Sequence, residues 1–438
     1  MIARLLYTLL ALVMLPWALL HLLLRSRRQP EYLEHVGERF GCFPATPGSP
    51  DAPVIWLHAV SVGETRAAEP LVAALHEQFP DHRLLFTHMT PTGRAASLAL
   101  FADTVERIYL PYDLPWAMRR FLRHYRPRLG LILETELWPN LLAACHAEGI
   151  PVLLVNARLS ARSAARYGSF PALTWDALHH LTAIGAQSVA DAGRFAALGA
   201  EAVTVTGNMK FDCAPPPAQH ALAEVFRARI GARPCWLAAS TREGEEALIL
   251  EAWQKVHGGD PKVVQSKYNA GADDTAANPL LILVPRHPQR FDEVVRLIEA
   301  HGLKLQRRSD ELPVAADTRV WLGDSMGEMF AWYGAADLAF IGGSLKDYGS
   351  QNLIEACAMG TPVLIGRSTF NFAGAAGAAL ECGAARAVAD ADDLVRQVLA
   401  LLPDATARQR MGQAGRTFTS VHAGATARTL ELITRAGR

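Results

Sequence analysis

The chain has no excess of charge: 43 basic and 43 acidic residues cancel over 438 positions. A neutral balance argues against a polyanion as partner, so no nucleic acid is expected and electrostatic recognition must be local. Cysteine is sparse, and the six present (Cys42, Cys145, Cys213, Cys235, Cys357, Cys382) form no CxxC pair. That excludes a disulfide scaffold and leaves small core residues in a reducing compartment. Among 15 histidines there is no HExxH, and His179-His180 has no further histidine at ligand spacing. No metal site is therefore expected. A repeat of short period is also missing.

Apolar residues, by contrast, make up 50% of the chain. Their longest run, Leu5 to Leu24 (LLYTLLALVMLPWALLHLLL), is about long enough to cross a bilayer as a helix. Pro16 and His21 weaken it slightly. Arg25, Arg27 and Arg28 follow at once where a cleaved signal would show small residues, so the run reads as an N-terminal membrane anchor, single-pass or monotopic. Only Arg4 and the amino terminus precede the run, and this bias places the remaining chain on the cytoplasmic side. The alternative is a buried core helix.

After a short amphipathic helix (Glu34–Phe40) and a Pro/Gly/Ser connector (Pro44–Pro53), strands alternate with helices. The first series has strands near Val54–Ala59, Leu84–Thr87, Arg107–Leu110, Leu129–Leu133, Val152–Asn156 and Val203–Thr206, with a helix from Thr65 to Phe79. Pro215-Pro216-Pro217 is a stiff break. A second series follows at Cys235–Ala239, Leu280–Val284, Lys304–Gln306, Val320–Leu322, Leu338–Ile341 and Val363–Ile365, and the polar stretch 258–278 reads as a surface loop. Such alternation means α/β architecture with parallel sheets. The domains expected are an anchor (1–28), a first Rossmann-like domain (29–213) and a second (214–438).

Chemistry in such sheets gathers at the carboxyl ends of strands. In the second series Gly342, Gly343 and Ser344 bring backbone close to a ligand, a helix from about Asn352 to Met359 begins beside them, and Glu355 could accept hydrogen bonds from a ribose diol. A tight turn with a solvated glutamate reads equally well. Pro285-Arg286 ends another strand and offers a cation. In the first series Ser61-Val62-Gly63-Glu64 puts a carboxylate at a strand end, although S-x-x-E is also a capping box. Glu134 and Glu136 follow a second strand. Arg119, Arg120, Arg123, Arg126, Arg128, Arg158, Arg162 and Arg166 are either a solvated face or a patch for anionic lipid or a phosphorylated acceptor.

With these residues assembled, the chain resembles the Kdo (3-deoxy-D-manno-octulosonic acid) transferases over nearly its whole length. The stretches that carry the resemblance are HAVSVGE, THMTPTG, LETELWPN, GNMKFD, VPRHPQRF, GDSMGEM, GGS, QNLIEA and STFNF. The resemblance implies the GT-B fold, two Rossmann-like domains facing across a cleft, and inverting, metal-independent transfer of Kdo from CMP-Kdo to the tetraacyl lipid A precursor. It implies no cofactor beyond that donor, and contact with inner-membrane phospholipid. The family's general base falls on Glu64. Its CMP-contacting positions fall on Pro285, Arg286, Met326, Gly327, Glu328, Asn352, Leu353, Ile354 and Glu355. Where many members carry Gly-Gly-Gln-Asn or Gly-Gly-His-Asn, this chain has Gly349-Ser350-Gln351-Asn352. A donor of another class, such as a UDP-sugar, and a nucleotide-binding module without catalysis are the rival readings.

Overall fold

The computed structural model describes residues 2–27, 29–44, 52–212, 214–257 and 278–436. Of the stretch 258–278 read as a surface loop, residues 258–277 lie outside the described residues. The chain divides into two compact units, Met1–Cys213 with His422–Arg438, and Ala214–Val421.

The first unit holds a seven-stranded parallel sheet with order β3-β2-β1-β4-β5-β6-β7. Its strands are β1 (Val54–His58), β2 (Arg83–His88), β3 (Glu106–Tyr109), β4 (Pro127–Leu133), β5 (Val152–Ala157), β6 (Ala183–Ala186) and β7 (Val203–Val205). The central strands are apolar on both faces because helices cover both. Trp56 and Ile132 belong to one core layer, and Leu57 and Leu131 to the other. The second unit repeats the plan in the order β10-β11-β9-β8-β12-β13-β14. Here the strands are β8 (Cys235–Thr241), β9 (Leu280–Pro285), β10 (Leu305–Arg307), β11 (Val320–Leu322), β12 (Leu338–Ile341), β13 (Val363–Ile365) and β14 (Ala385–Ala387).

Three boundaries differ from the sequence expectation. The helix expected from Thr65 to Phe79 is two, Val62–Ala67 and Glu69–Gln78, because Pro70 has no N–H to continue the ladder. The helix expected from Asn352 begins at Ile354, since the Asn352 side chain accepts from the Ile354 N–H (3.1 Å) and so stands outside the helix it starts. Residues 422–438, expected in the second domain, belong to the first unit. There the helix Ala425–Ala436 buries Ala425 and Ile433 in the same core layer as Ile55 and Leu57. The Asp212 carboxylate fixes its start by accepting from the Gly424 and Thr426 N–H groups (2.6 and 2.5 Å).

Gly342 closes β12 against β8. A Cβ there would lie 2.6 Å from the Ser240 carbonyl oxygen and 2.6 Å from the Thr241 Cα, and neither backbone atom can rotate away. Gly342→Ala is expected to destabilise the protein by about 1–3 kcal/mol, read as a lower melting temperature. An unchanged melting point contradicts this packing.

Candidate functional site

Each sheet has a point from which the chain departs to opposite sides, between β1 and β4 in the first unit and between β8 and β12 in the second, where β11 in addition lies between β9 and β10. The connections leave such a point in opposite directions and open a crevice at the carboxyl edge. The sequence-predicted residues fall at or near these edges.

In the first unit, Glu64 follows β1 in the first turn of the helix Val62–Ala67, with Ser61 as its N-cap. Its carboxylate is half-buried and held at both oxygens. The Ser61 hydroxyl donates to Oε1 (2.7 Å) and the Val60 N–H to Oε2 (2.7 Å). Ser61 Oγ accepts from the Glu64 N–H (3.3 Å), so the N-cap half of the capping box is present, but the carboxylate takes the Val60 N–H in place of the Ser61 N–H, which fixes it at the crevice while each oxygen retains a lone pair. Burial, then the charge of Glu134, pushes Glu64 above the usual carboxylate range, against the hydrogen bonds from Ser61 and Val60 and the charge of Lys210. Below it His58 is fully buried, with Nδ1 on the Thr87 hydroxyl (2.8 Å). Burial depresses His58 to about 3, so it brings no cation to the site.

Glu134 leaves β4 with φ +58°, a left-handed conformation that costs a non-glycine residue about 1–3 kcal/mol. Its backbone N–H donates to the Val155 carbonyl (3.0 Å), and its side chain meets the Lys210 Nζ at 3.2 Å. Glu136 completes an acidic group, raised to about 7 by burial first and then by Glu64 and Glu134. The loop carrying Lys210 is fixed from β5, where the Asn156 side chain accepts from the Met209 N–H (3.1 Å). Sequence reading singled out GNMKFD but gave Lys210 no part. Its signal was a lysine in a Gly-Asn turn, which shows nothing until the turn is seen to end at a carboxylate.

In the second unit the glycine-rich loop takes the tight-turn alternative, closed on a side chain of its own unit. The buried Glu245 carboxylate accepts from the N–H groups of Gly343 (2.6 Å), Leu345 (3.0 Å) and Arg242 (2.9 Å). An internal anion thus takes the amides that were expected to receive a phosphate. Beside it Ser350 adopts φ +70°, so the serine takes the left-handed conformation that glycine would supply at less strain.

The remaining predicted positions divide into two groups. Pro285 ends β9, and Arg286 Nε donates to the Gln351 side chain (3.1 Å). The adjacent Asn352 Nδ2 donates to Glu355 Oε1 (2.9 Å). Leu353 and Ile354 are buried, so only their backbone is available to a ligand. Met326, Gly327 and Glu328 stand after β11, the neighbour of β9. There Gln219 donates to the Gly327 carbonyl (3.1 Å) and Arg308 pairs with Glu328 (2.9 Å). Met326 is 51% exposed. The triplet Asp390-Ala391-Asp392, a spacing that can hold a divalent cation, instead starts a helix: Asp390 accepts from the Asp393 N–H (2.8 Å) and Asp392 pairs with Lys255 (3.2 Å).

Residues 34–213 match the family described as 3-deoxy-D-manno-octulosonic-acid transferase (kdotransferase). A 3-deoxy-D-manno-octulosonic acid transferase of Bordetella pertussis is 45% identical over 402 residues, 90% of each chain. One from Haemophilus influenzae is 39% identical over 437 residues, 98% of each chain. In fold, the chain is similar to the crystal structure of a UDP-GlcNAc 2-epimerase from Neisseria meningitidis, with TM-score 0.57, 15% identity, and coverage of 87% of this chain and 100% of that one. That likeness is of fold alone, and the fold is GT-B.

The folded-state pKa of Glu136, about 7, stands above its ordinary 4.5, so between these values the folded protein holds the proton that the unfolded chain releases. Stability from this group is present at low pH and falls as pH rises through that window. Glu136→Gln is expected to raise the melting temperature near about pH 8 and to leave it almost unchanged near about pH 4. Equal shifts at both would mean that Glu136 is not protonated in the folded state.

Proposed function

Because this chain belongs to the 3-deoxy-D-manno-octulosonic acid transferases, glycosyltransferases of lipopolysaccharide biosynthesis, we propose that it moves Kdo from CMP-Kdo to the tetraacyl lipid A precursor at the cytoplasmic face of the inner membrane. Glu64 takes the proton of a glucosamine primary hydroxyl as that oxygen attacks the anomeric carbon. The new carbon–oxygen bond forms as the bond to the phosphate oxygen breaks, and CMP leaves with the electron pair.

The observation that carries this reading is the state of Glu64: held at the crevice by two donors, half-buried, and raised in pKa by its surroundings. An ordinary surface carboxylate is a weak base, whereas a raised pKa brings it closer to the working pH. Lys210, paired with Glu134, limits how much negative charge accumulates around Glu64 and opposes the rise in its pKa.

On the second unit Arg286 is the cation for the single phosphate of CMP, set by Gln351, and Glu355 accepts from the ribose diol. Pro285, Met326, Gly327, Glu328 and the backbone from Asn352 to Ile354 complete the nucleotide contacts. Gly343 and Leu345 donate to Glu245, so this reading gives their amides no part in holding the phosphate. Neither a cofactor nor a metal ion is assigned a role, since charge on the leaving group falls to Arg286.

Glu64→Gln is expected to lower turnover by about 10²–10⁴-fold, measured by mass spectrometry of the glycolipid product, with CMP affinity changed less than about twofold. Retained turnover removes Glu64 from the role. Arg286→Ala is expected to weaken CMP binding by roughly 10–100-fold, the value of a charge-assisted hydrogen bond. Equal competition by UDP for the same site would reject CMP-Kdo as donor.

A further inference from the structure

The N-terminal helix Ile2–Ser26 is long and apolar enough to cross a membrane, yet it lies on the first unit. Residues Arg4, Tyr7, Ala11, Leu15, Ala18 and Leu22, spaced by three and four, are among the partly or fully covered ones. They form one stripe along the whole helix. Its first turns are held by polar contacts: Arg4 pairs with Asp176 on the helix Pro171–His179 (3.3 Å), and Thr8 donates to Asn140 on the helix Pro139–Ala147 (3.1 Å), while Tyr7 lies close enough to Asp113 for the two to shift each other's titration. Asp113 in turn caps the helix carrying Asn140 by accepting from the Asn140 and Leu141 N–H groups (3.0 and 2.8 Å). Its last turn meets the segment Pro30–Leu33, with Arg25 on Tyr32 (3.3 Å).

This docking conflicts with crossing. From Thr8 to Ser26 is about 27 Å along a helix axis, close to the thickness of a hydrocarbon core. A spanning helix would carry Arg4, Tyr7 and Thr8 to the far side, away from partners that belong to the globular unit, or draw Asp176, Asn140 and Asp113 into hydrocarbon. The opposite face tells what covers it. Leu5, Leu9, Val13, Trp17, Leu20 and Leu24 are 48–74% exposed. Beside the helix the aromatic rings of Phe170 and Trp175 are also exposed, at 63% and 51%, as in the aromatic belts of the membrane interface. At the helix start His180 approaches Asp176 (4.0 Å) and its ring lies tilted against that of His146 (centroids 4.8 Å apart). Both histidines line an open cavity of about 1420 Å³ together with Arg83, Arg123, Arg126 and Arg128. An apolar helix face edged by aromatics and a cationic cavity has the complementarity of one anionic leaflet.

We propose that the N-terminal helix does not span the bilayer but lies along the cytoplasmic leaflet, docked on the first unit, with the neighbouring cationic cavity meeting anionic phospholipid headgroups. This deepens the membrane part of the proposed function and rests on it.

The test uses the full chain. Thr8→Cys and Asn140→Cys are introduced together, with each single variant as control, and membrane vesicles carrying the protein are oxidised. An intramolecular disulfide, seen as faster migration without reductant in the double variant alone, is expected. Its absence from a protein of normal melting temperature, repeated with Arg4→Cys and Asp176→Cys joined by a short bismaleimide, overturns the docked helix. In vesicle flotation, Leu9→Asp with Val13→Asp is expected to abolish binding. Changing Arg123, Arg126 and Arg128 to Ala is expected to lower binding to phosphatidylcholine–phosphatidylglycerol vesicles roughly tenfold or more, while binding to phosphatidylcholine alone changes little. Equal loss on both lipids overturns the headgroup assignment. Kdo transfer to detergent-dispersed acceptor is measured in parallel: transfer without the cross-link refutes only the membrane geometry, and the cross-link without transfer refutes only the enzymatic reading.

Discussion

The constraint on which the site depends is the burial of two parallel sheets on both faces. Such a strand has nowhere along its length for a charged side chain, so charge is excluded to the strand ends. β1 and β4 show this plainly. His58, the last residue of β1, is already buried and neutral, and the first carboxylate comes six residues later, where the chain has turned into a helix. Chain order then decides which ends are neighbours. Because β4 returns beside β1, Glu64 and the Glu134–Glu136 pair share one crevice although about 70 residues separate them.

Crowding acids in this way is unfavourable unless something offsets it, and the structure shows three compensations. Lys210 pairs with Glu134. Two hydrogen bonds hold Glu64, and the rise in Glu136 lets it carry a proton rather than a charge. What remains is Glu64, a carboxylate that is oriented and more basic than usual. The left-handed backbone at Glu134 and Asn156 belongs to the same arrangement, since strain of this kind persists where surrounding contacts over-determine it.

Much of this was legible before the structure. The apolar runs located twelve of the fourteen strands, and the polar residues following those runs gave Glu64, Arg286 and Glu355. The two strands missed, Ala183–Ala186 and Ala385–Ala387, are short and alanine-rich, with Ile184 as the one β-branched residue between them, so their strand signal is weak. The role of Glu245 was hidden for another reason. An acidic residue starting a helix reads as a dipole partner, and only the β8–β12 reversal shows that the same carboxylate closes a loop about 100 residues away. The glycines were therefore read as ligand-facing when their conformation serves an internal anion. The last helix was placed in the wrong unit because its determinant, Asp212, lies more than 200 residues earlier.

The unit that bears Glu64 also bears the docked N-terminal helix, and in the proposed reaction this pairing has a reason. The acceptor is an amphiphile whose acyl chains stay in the leaflet, so only its sugar headgroup reaches the protein. A helix crossing the bilayer and joined through a tether would hold the enzyme near the membrane but leave the orientation of Glu64 free. A helix docked on the two helices Pro139–Ala147 and Pro171–His179, which cover the sheet that carries Glu64, would in the proposed geometry set the orientation of that sheet to the leaflet. The helix Pro139–Ala147 ties the two together: its Asn140 receives the Thr8 hydroxyl of the N-terminal helix, Asp113 caps its start, and it leaves β4 just beyond Glu134 and Glu136. In the proposed geometry, an orientation set by the N-terminal helix reaches the acidic crevice through Asn140 and the helix that carries it.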